Sequence, residues 1–546
     1  MARDKAPGRV LWLLLGATLP VFFVYLGANS IWEANEAFYV ETPRQMLLRG
    51  DYITPWFNDE LRLNKPVLSY WVVAALYKLF GVSITTERVG IACGAIGIIA
   101  AAWLIGRALR SESAGWLSAL IVATSPWFVF FARRIFIDIY VTLFTSVALA
   151  CLVGAERDPA RRRPWLLAMY VAIGLAVLTK GPAFVALPAL ACLVWLALEG
   201  RLRDLRRMSL VAGALIVAVI VAPWYVALAR QHGWAPLMSF LSEENVARFT
   251  TSMASEDRRA FFYIPVLLGM LFPWAPVVLV PIATAWRRRD TDEEATHASI
   301  RRLLWVWIVT FVAFFSFSAT KQDLYILPVA PAVAALVADA IMSPGGRART
   351  RVVNTILGLV AVILIALGAF VFWWLGSGYY AIDAAAIVTT LLVAGGVLTL
   401  VALLARRTSG AVVALAVTFI AIDYVFVARV LPGLERLKPV VPLADFIKTH
   451  TPPEAEVGSY HLSLPSLVYY VGRKVDDIGT VDHVRAYYFS ANGSWVVMSE
   501  EDYESLRPVI PNLCVAYRRA RFDAKLRDLL DQRPPPDVLL VTNRCR

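Results

Sequence analysis

The chain has 546 residues, of which 59% are apolar and 17% charged, with a net charge of +12. Soluble domains hold roughly 45–50% apolar and about 25% charged residues, so this composition excludes an ordinary globular protein. Apolar runs of about 20 residues recur along the chain and match the thickness of a bilayer core, which points to a polytopic membrane protein.

The first run, residues 10–28, has the apolar character of a signal peptide. It continues into Asn29-Ser30-Ile31-Trp32 without a small-residue cleavage site, so it reads as a retained helix. Further spans are predicted at 86–106, 113–131, 135–154, 164–179, 182–199, 208–228, 260–285, 303–318, 323–342, 352–376, 380–405 and 410–430, thirteen in all. With a cytoplasmic N-terminus, the basic loops all fall on one side: Arg107 and Arg110; Arg157 with Arg161–Arg163; Arg201 to Arg207; Arg287–Arg289 with Arg301 and Arg302; Arg347 to Arg351; Arg406 and Arg407. The positive-inside rule requires this pattern, so the basicity is explained as topology and nucleic acid is not expected as a partner.

An odd number of spans sends the C-terminus to the outer face, together with segments 31–85 and 229–259 and the tail 431–546. In segment 31–85, Glu33 to Arg49 has a helical pattern that Gly50-Asp51-Tyr52-Ile53-Thr54-Pro55 breaks. Pro66 to Phe80 carries Tyr70, Trp71 and Tyr77 among apolar residues and reads as a helix lying in the membrane interface. The tail follows a hinge marked by Pro439 and Pro442. Helices are predicted there at Leu443–Thr449 and Pro465–Val471. Strands are predicted at Lys474–Ile478, Ser494–Met498, Val515–Tyr517 and Asp537–Val541, giving a small α/β domain. Residues 1–430 form the membrane domain and 431–546 the outer domain on this reading. Cys93, Cys151 and Cys192 fall in spans as small apolar residues. Cys514 and Cys545 lie in the outer tail, where a disulfide is permitted and a pair of free thiols is the equal alternative.

Ionisable residues at the membrane boundary are the informative ones. Asp138 follows Arg133 and Arg134; Lys180 and Lys321 stand alone between spans; Lys65 precedes the interfacial helix; Arg248, Arg258 and Arg259 lie in 229–259. Cations in short outer loops run against the positive-inside rule, and boundary charges are functional candidates. Each also has a bland reading: a lone Lys or Arg snorkels to lipid phosphates, and Asp138 pairs with Arg134. Jointly, the cations could bind a phosphate at the lipid–water boundary through charge-assisted hydrogen bonds. A nearby carboxylate could take a proton from an attacking hydroxyl. Asp423 and Asp383 are assigned to helix pairing or boundary hydration. The five histidines form no ligand-spaced cluster, so no metal and no cofactor are expected.

Several phrases carry a family resemblance: Glu36 with Tyr39, Leu47 to Pro55, Asn64 to Trp71, Arg133 to Asp138, and Leu178-Thr179-Lys180-Gly181-Pro182. It recurs in Pro223-Trp224-Tyr225, Glu244 to Phe249, Phe272-Pro273-Trp274, Ser318-Ala319-Thr320-Lys321 and Tyr325-Ile326-Leu327-Pro328. In order and spacing they resemble bacterial lipid-dependent glycosyltransferases of the protein mannosyltransferase-like superfamily, with the GT-C fold. Within that superfamily they resemble the undecaprenyl-phosphate aminoarabinose transferases that modify lipid A. The tail carries no matching motif.

The resemblance implies transfer of a sugar from a polyprenyl-phosphate donor to a lipid, glycan or protein acceptor on the outer face of a bacterial cytoplasmic membrane. Lys65 and Arg248 would hold the lipid phosphate. Lys180, Lys321, Arg133, Arg134, Tyr39 and Tyr325 complete the expected binding set, and Glu36, Asp138 and Glu33 the expected catalytic carboxylates. One departure stands out: the family's Asp-Glu pair here reads Asn35-Glu36. Either Glu33 or Glu36 replaces the missing aspartate, or the acceptor needs no base, as an acceptor phosphate would not. Positions that supply metal ligands in some relatives are Asn64 and Asn245. The competing readings are a transporter or flippase for lipid-linked anions and a non-catalytic lipid-binding homologue. The oligomeric state stays open.

Overall fold

The computed structural model describes residues 5–32, 35–251, 259–280, 292–343, 347–489, 494–520, 532, 534 and 536–543. Inside a bilayer every backbone N–H and C=O must be satisfied within its own segment, so apolar runs become helices. Among the described residues nine helices are long and apolar enough to cross a membrane, and ten if the pair Glu112–Ala123 and Pro126–Ala132, bent by 68°, forms one span. The predicted first and sixth spans are shorter apolar helices, Gly8–Phe22 and Ala183–Leu198. The predicted span 260–285 is broken in its described part. It holds a helix at Tyr263–Met270 and a 3₁₀ turn at Ala275–Leu279, with residues 281–285 outside the described residues. Pro273 lies in the break and cannot donate a helical hydrogen bond.

Arginines of the basic loops form ion pairs with little-exposed carboxylates. Asp339, buried at the end of the helix Ala330–Met342, accepts from Arg110 at 2.5 Å and Arg301 at 3.0 Å, and Arg349 approaches to 3.8 Å. Arg201 bonds Glu156 at 2.5 Å and Arg302 bonds Glu199 at 2.5 Å. A carboxylate without water needs such partners, and these pairs tie helix ends together at that side of the bundle.

The opposite side carries the segment between the first two predicted spans. A helix at Asn35–Arg49 leads through a small hairpin, β1 (Trp56–Phe57) and β2 (Glu60–Leu61), to the helix Leu68–Phe80. That last helix buries Tyr70, Val73 and Tyr77 and exposes Leu79 and Phe80, as an interfacial helix should.

The C-terminal part folds around a five-stranded mixed sheet of order β4-β3-β5-β7-β6. Its strands are β3 (Glu456–Tyr460), β4 (Asp476–Ile478), β5 (Ser494–Ser499), β6 (Cys514–Ala520) and β7 (Asp537–Thr542). β3 runs parallel to both β4 and β5, while β7 is antiparallel to β5 and β6. Helices cover it at Val440–His450, Pro465–Val471, Val481–Tyr488 and Glu500–Leu506. β3 and the last two helices escape the sequence reading, because Glu456-Val457-Gly458-Ser459-Tyr460 has no two-residue alternation and is almost wholly buried. Cys514 is disulfide-bonded and Cys93, Cys151 and Cys192 are free; Cys545 lies outside the described residues.

This domain docks on the hairpin. The Asn58 amide donates to the Val475 carbonyl at 2.7 Å and accepts from the Val475 N–H at 3.0 Å, completing the edge strand as a backbone neighbour would. The Ile31 N–H donates to the Tyr470 hydroxyl at 2.7 Å, and Lys438 donates to the Ser30 carbonyl at 2.9 Å. Asn58→Ala removes both bonds to Val475 and leaves a strand-edge N–H and C=O without a partner. It should loosen the docking by about 1–3 kcal/mol. Hydrogen exchange at Val475 and along β4 should accelerate by about tenfold or more on this scale, while β7 stays protected; unchanged exchange would refute the docking role.

Candidate functional site

A cleft of about 420 Å³ opens on the hairpin side of the bundle. Lys65 enters it from the turn before the helix Leu68–Phe80, and Lys180 from the last turn of the helix Arg162–Lys180. Gly181, at φ +115°, ends that helix in a conformation that a side chain would strain. Tyr325 projects from the 3₁₀ segment Asp323–Val329, and Phe184, Phe314, Phe315 and Phe249 form apolar walls.

Each lysine is held by a carboxylate. Lys65 is bonded to Glu244, and Lys180 to Asp138 in the first turn of the helix Asp138–Arg157. All four side chains are little exposed, and pairing is what keeps desolvated charges stable there. Helix dipoles favour the second pair, with the lysine at a C-terminus and the aspartate at an N-terminus. Lys180 also lies 4.8 Å from the centre of the Tyr325 ring. Asn64 donates to the other Glu244 oxygen at 3.4 Å. Lys321 donates to the carbonyl of Ser318, a wall residue, at 2.7 Å. Tyr39 stacks on Tyr70 with ring centres 5.9 Å apart. Burial raises the Tyr39 hydroxyl well above its usual value, and the neighbouring Tyr70, Asp138 and Glu244 raise it further.

The segment that delivers Lys65 is pinned to the bundle. Trp71 donates to the Tyr52 carbonyl at 2.6 Å and Trp224 to the Ile53 carbonyl at 2.9 Å. Thr54 bonds Gln231 at 3.0 Å and meets the His232 ring at 2.9 Å.

Three expected site residues sit elsewhere. Glu36 is 0% exposed and does not line the cleft. One carboxylate oxygen accepts from Arg134 at 3.0 Å and the Ile135 N–H at 3.1 Å; the other accepts from the Trp32 N–H at 2.9 Å and Arg88 at 3.3 Å. Arg134 is used by Glu36 and by the rings of Trp32, Phe130 and Phe136. Arg133 donates to the carbonyls of Val21 and Val24, anchoring the end of the first apolar helix. The expectation that these three face a substrate is therefore corrected to this extent: none of them lines the cleft, both Glu36 oxygens accept within the fold, Arg134 donates to Glu36 from Nε, and Arg133 donates from both terminal nitrogens while its Nε has no hydrogen-bond partner. Glu33 and Arg258 lie outside the described residues, as do the side chains of Arg248 and Asn245; the Arg248 backbone begins the short helix Arg248–Thr250. Asp423, expected to pair between helices, is fully buried with both oxygens lacking a hydrogen-bond partner.

Sequence reasoning missed Glu244 as a site residue and Arg88 altogether. Arg88 is an arginine near the end of a span, the same signal that singled out Arg133. It donates to the carbonyls of Leu26 and Asn29 at 2.8 and 2.7 Å, and so joins Glu36 to the preceding turn. Among the described residues no group of three His, Cys, Asp or Glu could hold a metal ion.

Burial would raise the Glu36 carboxyl, but Arg134 and Arg88, with the Trp32 N–H, hold it below its ordinary 4.5. A carboxylate with a lowered folded value stabilises the fold above the ordinary range and loses that contribution as pH falls through the folded value. Glu36→Gln leaves two guanidiniums without a counter-charge and should cost about 3–5 kcal/mol. Melting of the detergent-solubilised protein should show this gap constant above pH 5 and closing below 4.5. A gap that widened on acidification would contradict the assignment.

Comparison with known proteins places this architecture. The family model for dolichyl-phosphate-mannose-protein mannosyltransferases matches residues 12–233. An undecaprenyl phosphate-alpha-4-amino-4-deoxy-L-arabinose arabinosyl transferase of Pseudomonas savastanoi is 30% identical over 65% of this chain and 67% of its own. That of Erwinia tasmaniensis is 27% identical over 63% of each chain, so the match spans just under two thirds of that relative. The crystal structure of ArnT from Cupriavidus metallidurans bound to undecaprenyl phosphate superposes with a TM-score of 0.81, at 21% identity and 99% coverage of both chains. An oligosaccharyltransferase of Archaeoglobus fulgidus shares the fold more distantly, at a TM-score of 0.53 over 91% of this chain and 70% of its own. A multi-pass membrane protein, this chain belongs to the protein mannosyltransferase-like family of GT-C glycosyltransferases, beside the undecaprenyl-phosphate aminoarabinose transferases.

Proposed function

We propose that the protein transfers a sugar from a polyprenyl-phosphate donor to a lipid A-like or other envelope acceptor at the outer face of the bacterial inner membrane. On this reading residues 1–430 are the transferase, 431–546 its periplasmic domain, and the N-terminus is cytoplasmic. The observation that carries it is a cleft with two lysines at its polar end and four phenylalanines along its walls. A phosphate head on an isoprenoid tail is a ligand with that division of character.

Without ligand, Glu244 and Asp138 stand where the phosphate oxygens would go, each neutralising one lysine. A donor phosphate displaces them and takes Lys65 and Lys180 as charge-assisted partners, with Arg248 and Lys321 close in sequence to the walls. An acceptor oxygen attacks the anomeric carbon; the bond from that carbon to the phosphate oxygen breaks, and the lipid phosphate leaves with the electron pair. Fixed cations at the departing oxygen lower the barrier because charge grows there in the transition state. Asp138, freed from Lys180, becomes a carboxylate beside the reacting centre, able to take the proton of an acceptor hydroxyl. Glu36 acts as a positioning residue, holding the helix that bears Tyr39.

Lys65→Ala and Lys180→Ala should each slow transfer from a polyprenyl-linked sugar by about 100-fold or more. Each also strands a little-exposed carboxylate and lowers the melting temperature, so rates are compared at a temperature where both variants are folded. Unaltered transfer in both variants would sink the mechanism. One observation favours a second reading, a lipid-binding homologue without turnover: Asn35, exposed at the start of its helix, supplies no carboxylate. If wild type is inactive and Asn35→Asp gains transfer, that reading replaces the first; turnover by wild type dismisses it.

A further inference from the structure

A cavity larger than the cleft lies elsewhere among the described residues. A groove of about 790 Å³ separates the hairpin of the first loop from the C-terminal domain, and it shares no lining residue with the cleft. Its position follows from the sheet. β3 has parallel neighbours on both sides, reached by chain connections that run first to β4 and then across to β5. Open α/β sheets bind ligands at the carboxyl ends of strands where the connections diverge in this way. Ser459 and His461, at the carboxyl end of β3, line the groove there. His461 adopts φ +50° and directs its ring to Asp502 at 3.3 Å and to the Gly479 carbonyl at 3.3 Å.

The lining chemistry differs from that of the cleft. Glu60, Asp476 and Asp477 bring three carboxylates against one lysine, Lys474, which is spent on Asp476 at 2.7 Å. His461 and His483 add imidazoles, and Phe57 of the hairpin and Tyr487 of the C-terminal domain add aromatic rings. Carboxylates accept from hydroxyls and ammonium groups and repel phosphate, so an acidic groove discriminates by charge. Ring faces favour an apolar C–H surface over a compact ion. A sugar ring without phosphate satisfies both demands.

We propose that this groove binds a saccharide that is uncharged or amine-bearing, and selects it over the phosphorylated form. That the saccharide belongs to the acceptor rests on the transferase reading; that the groove binds it does not. The helix Asn35–Arg49 links the two places, since Phe38 lines the groove and the adjacent Tyr39 neighbours the cleft carboxylates.

The test is calorimetric titration of the full-length, detergent-solubilised protein with a glucosamine disaccharide, its N-acetylated form and its bisphosphate. The two unphosphorylated probes should bind wild type and Lys65→Ala alike, and about tenfold more weakly to Tyr487→Ala, the scale of one well-made contact. Glu60 and Asp477 are exposed, so the double reversal Glu60→Lys, Asp477→Lys should fold and should invert the preference toward the bisphosphate. No binding of the unphosphorylated probes at millimolar concentration overturns the proposal. So does binding indifferent to all groove substitutions, or a wild-type preference for the bisphosphate. Groove-dependent binding by a chain that never releases polyprenyl phosphate from its donor supports the saccharide site while overturning the transferase reading. Transfer that proceeds unchanged in the reversal variant upholds the transferase reading and overturns the assignment of the groove's saccharide to the acceptor.

Discussion

A single carboxylate without water around it decides where the outer segment of this protein can lie. Glu36 accepts four hydrogen bonds from groups on three separate stretches of chain: Trp32 just before it, Arg88 at the start of the next long helix, and Arg134 with Ile135 after the bent pair. An ionised group so buried is tolerated only when its lone pairs are all engaged, so its partners are held to one geometry. Arg88 extends the constraint to the carbonyls of Leu26, Asn29 and Ser30, and Lys438 meets the same turn from the C-terminal side. The helix carrying Tyr39 and the hairpin beyond it inherit their position from this knot.

The same physics, read in reverse, describes the cleft. There the buried charges come in pairs, lysine with carboxylate. A pair of this kind can exchange one anion for another at little net electrostatic cost, whereas the Glu36 knot cannot be opened without stranding two guanidiniums. That contrast separates groups that shape the fold from groups available to a ligand. It is also why the anchored arginines Arg133 and Arg134 belong with Glu36.

The membrane architecture was legible because a bilayer leaves one solution for a long apolar run, and the predicted spans fall on described helices from Ile84–Leu109 to Thr408–Glu435. The span at 260–285 misled because hydropathy averages over Pro273 without registering the break it makes. Lys65 and Lys180, which line the cleft, were singled out by an argument about cost, since cations in short outer loops need a reason. The same argument also selected Arg133 and Arg134, because a sequence does not say whether a boundary cation meets a ligand or a backbone carbonyl. Glu36 shows the other limit. Its neighbour Tyr39 approaches the cleft carboxylates while Glu36 turns inward, and the rotation of a helix about its axis is set by packing that periodicity in a short polar helix does not reveal.

On the proposed function, the cleft recognises a lipid by its phosphate. The most direct measurement compares thermal stabilisation of the solubilised protein by undecaprenyl phosphate and by undecaprenol, which share a tail and differ only in the head. The account predicts a rise in melting temperature with the phosphate, diminished by salt, and little or none with the alcohol. Equal stabilisation by both lipids would contradict it.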